Sequence, residues 1–151
     1  MGFYQEPELL NEYIRTQTVA DIIGAFFERG LVQVQADGSY GPDLAKEVPN
    51  LENGGVSEDG LTLTYKLKDN IVWSDGDPFD CEDVKFTYDV IVHPESGTVS
   101  TSGYVEIESL ECVDPHTLVI KMKTFYAPFI TLFDTAILPS HIGLEPAKMQ
   151  E

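Results

Sequence analysis

Residues 61–68 read Leu-Thr-Leu-Thr-Tyr-Lys-Leu-Lys, and this strict alternation leaves the segment one conformation. Successive side chains of a β-strand point to opposite faces, so Leu61, Leu63, Tyr65 and Leu67 share one face while Thr62, Thr64, Lys66 and Lys68 share the other. One face is buried and the other wet, as in an antiparallel sheet packed on one side only. A hairpin is legible downstream. Leu110 and Cys112 precede Asp114-Pro115-His116, and Leu118, Ile120 and Met122 follow. A three-residue connection pairs 112 with 118 and 110 with 120, whereas an even connection would place these apolar side chains on opposite faces.

The other periodic segments are helical. Val19, Ile22, Ile23, Phe26 and Phe27 recur on one helical face and Gly30 follows, which predicts a helix over 18–29 capped by Thr16 or Thr18. Asp80 is placed as an N-cap with Asp83 three residues on, and Val84, Tyr88 and Ile91 line one face of a helix over 81–92. His93-Pro94 ends it, because the residue before proline is pushed out of the α region. Pro128 suits the first turn of a short helix carrying Phe129, Ile130, Leu132 and Phe133, and Ile137-Leu138-Pro139 reads as an extended exit. Between these elements, Leu31–Gln35 is a short strand, 41–60 an aperiodic surface loop, and 74–78 a turn in which Gly76 supplies an unusual φ beside a buried Trp73. The order suits an α+β fold, a mainly antiparallel sheet with a few helices.

Charge removes several functions. Nine basic residues stand against 26 acidic ones, a formal net charge of -17. Such a chain repels a nucleic-acid backbone and an anionic membrane surface, so no nucleic-acid partner is expected. No run approaches the length needed to span a bilayer. Met1 to Glu8 lacks the basic and apolar regions of a signal peptide, but this says nothing of compartment, because a cloned segment loses whatever addressed its parent. Cys81 and Cys112 fit no zinc pattern, and their pairing is open; a bond between them would be worth roughly 3–4 kcal/mol.

Catalytic and cofactor signals are weak. Cys81 with His93, His116 or His141 nominally offers a nucleophile and base, yet no surrounding run resembles a nucleophile elbow or a cysteine-protease signature. The acidic stretch Asp75, Asp77, Asp80, Glu82, Asp83 is interrupted by Gly76 and Pro78 where a calcium loop would not place them. Glu52-Asn53-Gly54-Gly55 lacks the lysine and helix of a phosphate loop. No enzyme, cofactor or metal is expected.

The run from Leu63 to Phe79, LTYKLKDNIVWSDGDPF, followed by Glu82-Asp83-Val84-Lys85-Phe86-Thr87-Tyr88, resembles the family 5 extracellular solute-binding proteins, the oligopeptide, dipeptide and nickel receptors of ABC importers. Leu10-Asn11, Pro42-Asp43-Leu44-Ala45, Val113-Asp114 with Thr117, Ala127-Pro128-Phe129 and Ile137-Leu138-Pro139 extend the likeness in the family's order. Cys81 and Cys112 depart from it, standing where the family commonly has small residues.

Family members run several times longer, so the resemblance implies an N-terminal piece of a type II periplasmic-binding-protein-like fold. Residues 1–35 would be the first strand and helix segment of a ligand-binding lobe, and 36–151 a small α+β subdomain returning towards that lobe. The implied function is the substrate-binding component of an ABC importer, capturing a peptide or similar small solute between closing lobes and delivering it to a membrane permease. Its place would be extracytoplasmic, in the periplasm or at the outer face of the membrane, with or without a lipid anchor.

Most ligand contacts would lie beyond Glu151. Within the chain the resemblance points to Thr16 and Gln17 before the first helix, and to Tyr104 near a second cleft-facing segment. Each also has a structural alternative: Thr16 as a helix cap, Gln17 as an exposed residue, Tyr104 as packing on its own sheet. An isolated piece should bind no peptide usefully and should expose apolar surface, so a homodimer is an expected association. The rival reading is an adhesion or assembly module that binds no small ligand.

Overall fold

A computed structural model describes residues 6–7 and 10–149. The alternating segment forms β3 (Thr62–Lys66), the middle of whose apolar face is fully buried at Leu63 and Tyr65, with Leu67 buried just beyond. It pairs antiparallel with β5 (Thr117–Met122), which pairs on its other side with β4 (Ile107–Asp114). Leu110 faces Ile120 and Cys112 faces Leu118, as the alternation requires. The connection itself differs from the expected three-residue loop. Asp114 pairs with Thr117 around a two-residue turn, and a register shift between Cys112 and Asp114 restores the odd offset. A bulge of this kind lets a tight turn coexist with a buried face whose register is already set.

Helix α2 (Cys81–Val92) begins as the sequence predicts. The Asp80 carboxylate accepts from the Glu82 N–H, and the Asp83 carboxylate accepts in return from the Asp80 N–H, a capping box worth about 1 kcal/mol. Val84, Ile91 and Cys81 turn inward onto the sheet, where they join Leu63, Leu67, Leu118 and Ile120 in one apolar cluster. Full burial of a side chain of this size contributes about 1.5–3 kcal/mol. A disulfide between Cys81 and Cys112 fastens the start of α2 to β4, closing the pairing that the cysteine count leaves open.

A second, two-stranded sheet pairs β1 (Val32–Val34) with β2 (Tyr40–Pro42) around the turn at Gly38. The segment after it corrects the expectation of a surface loop over 41–60. Asp43, Leu44 and Ala45 are buried, their N–H groups bonded to the carbonyls of Leu31 and Gly30, and Ala45 bridges to Leu67. Backbone pairing, to which hydrophobic periodicity is blind, draws this segment inward.

The first helix is shorter than predicted. α1 covers Thr18–Gly24, and 25–28 continue as tighter turns in which Phe26 bonds back to Ile23 and Phe27 to Gly24. Neither Thr16 nor Thr18 is the N-cap; Gln17 occupies that position without a side-chain cap bond. Ala127–Thr131 is a 3-10 turn, and Leu132 is already extended. Trp73, expected to be buried, is only half-buried, its indole N–H donating to the Asp83 carboxylate at 3.0 Å.

Residues 29–31 and 133–137 meet at close range. The Leu31 N–H donates to Phe133 O and the Ile137 N–H to Arg29 O, at 2.7 and 3.0 Å. Gly30 lies so near the Asp134 backbone that a Cβ there would collide with it, and buried Phe133 takes a φ of 60° to make the turn. A left-handed non-glycine residue costs about 1–3 kcal/mol and persists only where its surroundings over-determine it.

Candidate functional site

The two residues ahead of α1 are presented by a rigid support. Thr16 is exposed, and Gln17, half-buried with φ -102° and ψ 125°, holds the backbone extended just before the helix. The Gln17 carbonyl accepts from the N–H groups of Ala20 and Asp21. Beneath them, the buried guanidinium of Arg15 donates to Asp21 at 2.9 Å, to Glu28 at 2.5 and 2.9 Å and to the carbonyl of Leu10 at 2.9 Å, and it pairs with Glu12. Burial opposes the charge of Arg15, but its bonds to Glu28 and Asp21 outweigh that and raise its pKa. Burial likewise pushes the Glu12 carboxyl up, against the pull of Arg15. A bidentate, charge-assisted cluster of this kind fixes the loop on which Thr16 stands.

Tyr104 is buried. Its hydroxyl accepts from the Phe133 N–H at 3.0 Å, and its ring meets that of Phe133 edge-on at 5.1 Å. The hydroxyl also interacts with that of Tyr13, which donates to Ala136 O at 2.5 Å, while the Tyr13 carbonyl accepts from Val99 N–H at 2.8 Å. Desolvation pushes Tyr104 up to about 12 and Tyr13 well above its ordinary value, so both act as neutral hydroxyls. Tyr13 stands three positions upstream of Thr16 in the chain, whereas this hydrogen bond and ring contact of Tyr104 run to Phe133 rather than to Thr16 or Gln17. Tyr104 braces the strained turn at Phe133 through that bond and ring contact.

Two members of this arrangement, Tyr13 and Arg15, carry no motif. The available signal for Arg15 is one cation set among Glu12, Asp21 and Glu28; for the Tyr13 hydroxyl there is none, since its partners Tyr104 and Ala136 lie more than eighty residues away. Cys81, the nominal nucleophile, is spent in the disulfide with Cys112. Among the described residues, no group of His, Cys, Asp and Glu could hold a metal, and no helix is long and apolar enough to cross a membrane. The exposed hydroxyl of Thr16 beside extended backbone suits hydrogen bonding to a bound solute.

A putative ABC transporter peptide-binding protein of Brucella ovis is 38% identical over 100 residues, 66% of this chain and 18% of its own length. NikZ of Campylobacter jejuni, solved in complex with Ni(L-His), superposes on 97% of the chain at a TM-score of 0.80 and 26% identity. The Bacillus subtilis oligopeptide-binding protein AppA, solved with a nonapeptide, superposes on 96% at 0.79 and 26% identity. The chain spans 28% of each of these two structures. The model of the bacterial extracellular solute-binding proteins, family 5 Middle, matches residues 39–148, and to that family the chain belongs.

Proposed function

We propose that this chain works within the substrate-binding component of an ABC importer, which captures a peptide or similar small solute outside the cytoplasm and hands it to a membrane permease. The observation that carries this reading is the match of nearly the whole chain to two receptors solved with a nickel–histidine complex and a nonapeptide. Residues 1–35 contribute to a ligand-binding lobe and 36–151 form the small subdomain that returns to it. The Cys81–Cys112 disulfide favours an oxidising compartment, in the periplasm or at the outer face of the membrane, with or without a lipid anchor.

In this reading Thr16 and Gln17 bond the solute, while Tyr104, its hydroxyl committed to Phe133, supports the cleft wall. Most of the cleft is contributed by sequence outside the chain, so the chain by itself leaves a solute largely solvated. The exposed side chains of Ile22, Phe26 and Phe27 on α1 and the turns after it favour a homodimer of the isolated chain.

Calorimetric titration of a mixed oligopeptide pool tests the reading. The full-length receptor binds, Thr16→Ala with Gln17→Ala weakens binding about tenfold, equivalent to about 1.4 kcal/mol, and the isolated chain gives no heat. Micromolar binding by the isolated chain, or none by the full-length receptor, overturns it.

A further inference from the structure

Far along the chain from Thr16 and Gln17, two loops enclose an open groove of about 370 Å³. Its apolar surfaces come from Pro49, Leu51, Val56, Phe125 and Phe129, and Glu58 and Asp59 stand on its rim. Leu51 is 65% exposed and Phe125 68%, large apolar surfaces held in water. Among the described residues, no lysine, arginine or histidine lines the groove.

Both walls are pre-organised. On one side Asn50 and Asn53 cross-bond, each side-chain oxygen accepting the other's backbone N–H at 2.9 Å, and Asn53 also bonds Gly55 N–H and Val48 O. On the other, the Ser57 hydroxyl donates to Asp59 at 2.6 Å, and Leu61 N–H donates to the same carboxylate at 3.0 Å. These bonds hold the Asp59 carboxyl below its ordinary pKa, so the rim keeps its charge. Phe125 rests on this second wall. Gly60 has a φ of 68°, and a Cβ there would stand 2.7 Å from the Phe125 ring, so the glycine is what lets the ring lie against the turn with its outer face free.

We infer that this groove docks a basic, apolar segment of a partner protein, in which leucine-like side chains fill the floor between Leu51 and Phe125 and lysine or arginine meets Asp59 and Glu58. An aromatic face beside carboxylates attracts a cation twice over, by charge and by the ring quadrupole. Rigid loops spare the ordering cost that a mobile surface would pay on binding. An anionic partner finds no counter-charge here.

The test follows backbone amide NMR shifts of the chain on titration with three short synthetic peptides, alternating Leu–Lys, Leu–Glu and Gly–Lys. The Leu–Lys peptide shifts Leu51, Val56, Asp59, Gly60, Phe125 and Phe129, and Phe125→Ser or Leu51→Ser weakens it at least about tenfold while the rest of the spectrum stays folded. The Leu–Glu peptide shifts nothing. The inference is overturned if Leu–Lys does not bind, if Gly–Lys or Leu–Glu binds the groove equally well, or if shifts spread over the acidic surface and survive both substitutions. These readouts do not involve solute, so they stand or fall apart from the importer reading.

Discussion

His141 joins parts of the chain that lie more than sixty residues apart. Its Nε2 meets the Asp75 carboxylate at 2.8 Å, its Nδ1 lies 3.5 Å from Asp77, and its ring tilts against Trp73 at 6.1 Å. Next to it, Ser140 donates through both N–H and hydroxyl to Asp83, the carboxylate that also holds the Trp73 indole and the start of α2. The hydrogen bond to Asp75 raises the pKa of His141 above its ordinary 6.5, with Asp77 and Asp83 adding to it, and the same bond lowers that of Asp75. A histidine held more basic in the folded state stabilises it fully below the unfolded value, and that contribution fades as pH rises through the folded one. For Asp75 the contribution is present above its ordinary 3.8 and is lost as pH falls through the lowered value. The melting temperature of wild type should therefore exceed that of His141→Asn near pH 5.5, with the difference vanishing by about pH 9. A difference independent of pH would show that the ring acts by packing alone.

At the scale of elements, the disulfide and the helix cap together place α2 on the sheet. Asp80 sets where the helix starts, and Cys81, the next residue, ties that first turn to β4 across a separation of 31 residues. Closing a loop of this length in the unfolded chain should be worth about 3–4 kcal/mol. Replacing both cysteines by serine, or adding a reductant, should lower the urea-unfolding free energy by that order while the helical circular dichroism at low denaturant is kept; a loss below about 1 kcal/mol would mean that packing alone positions the helix. α2 and the facing pairs of β4 and β5 were legible because capping chemistry and period-two alternation are local codes, whereas the pairing of β3 with β5 joins segments far apart in the chain. α1 was misjudged at its C-terminal end, since Phe26 and Phe27 keep the helical rhythm while the backbone there tightens into turns.

For the molecule as a whole, apolar exposure and charge pull in opposite directions. Phe26 is 83% exposed, Phe27 54% and Ile22 42%, which sets a substantial apolar face in water. A net charge of -17 resists bringing two such faces together. Salt screens that repulsion, with a Debye length of about 10 Å at 0.1 M, so light scattering should find the dimer fraction rising with ionic strength. Phe26→Ser should leave a monomer at all salt concentrations; an unchanged dimer would place the interface elsewhere.

Pattern by itself determined the α+β class, the facing pairs of the β4–β5 hairpin and the span of α2, because each is written in neighbouring residues and needs no coordinates, while the family was legible from the resemblance carried by the run from Leu63 to Tyr88. Whether Cys81 and Cys112 pair, why Gly30 must be glycine, and that the Tyr13 hydroxyl reaches Ala136 were decided only by tertiary structure. These depend on residues 31 to more than a hundred positions apart meeting in space. Contacts at that separation leave no periodic trace in the sequence, since only the closure of the whole core sets their distance.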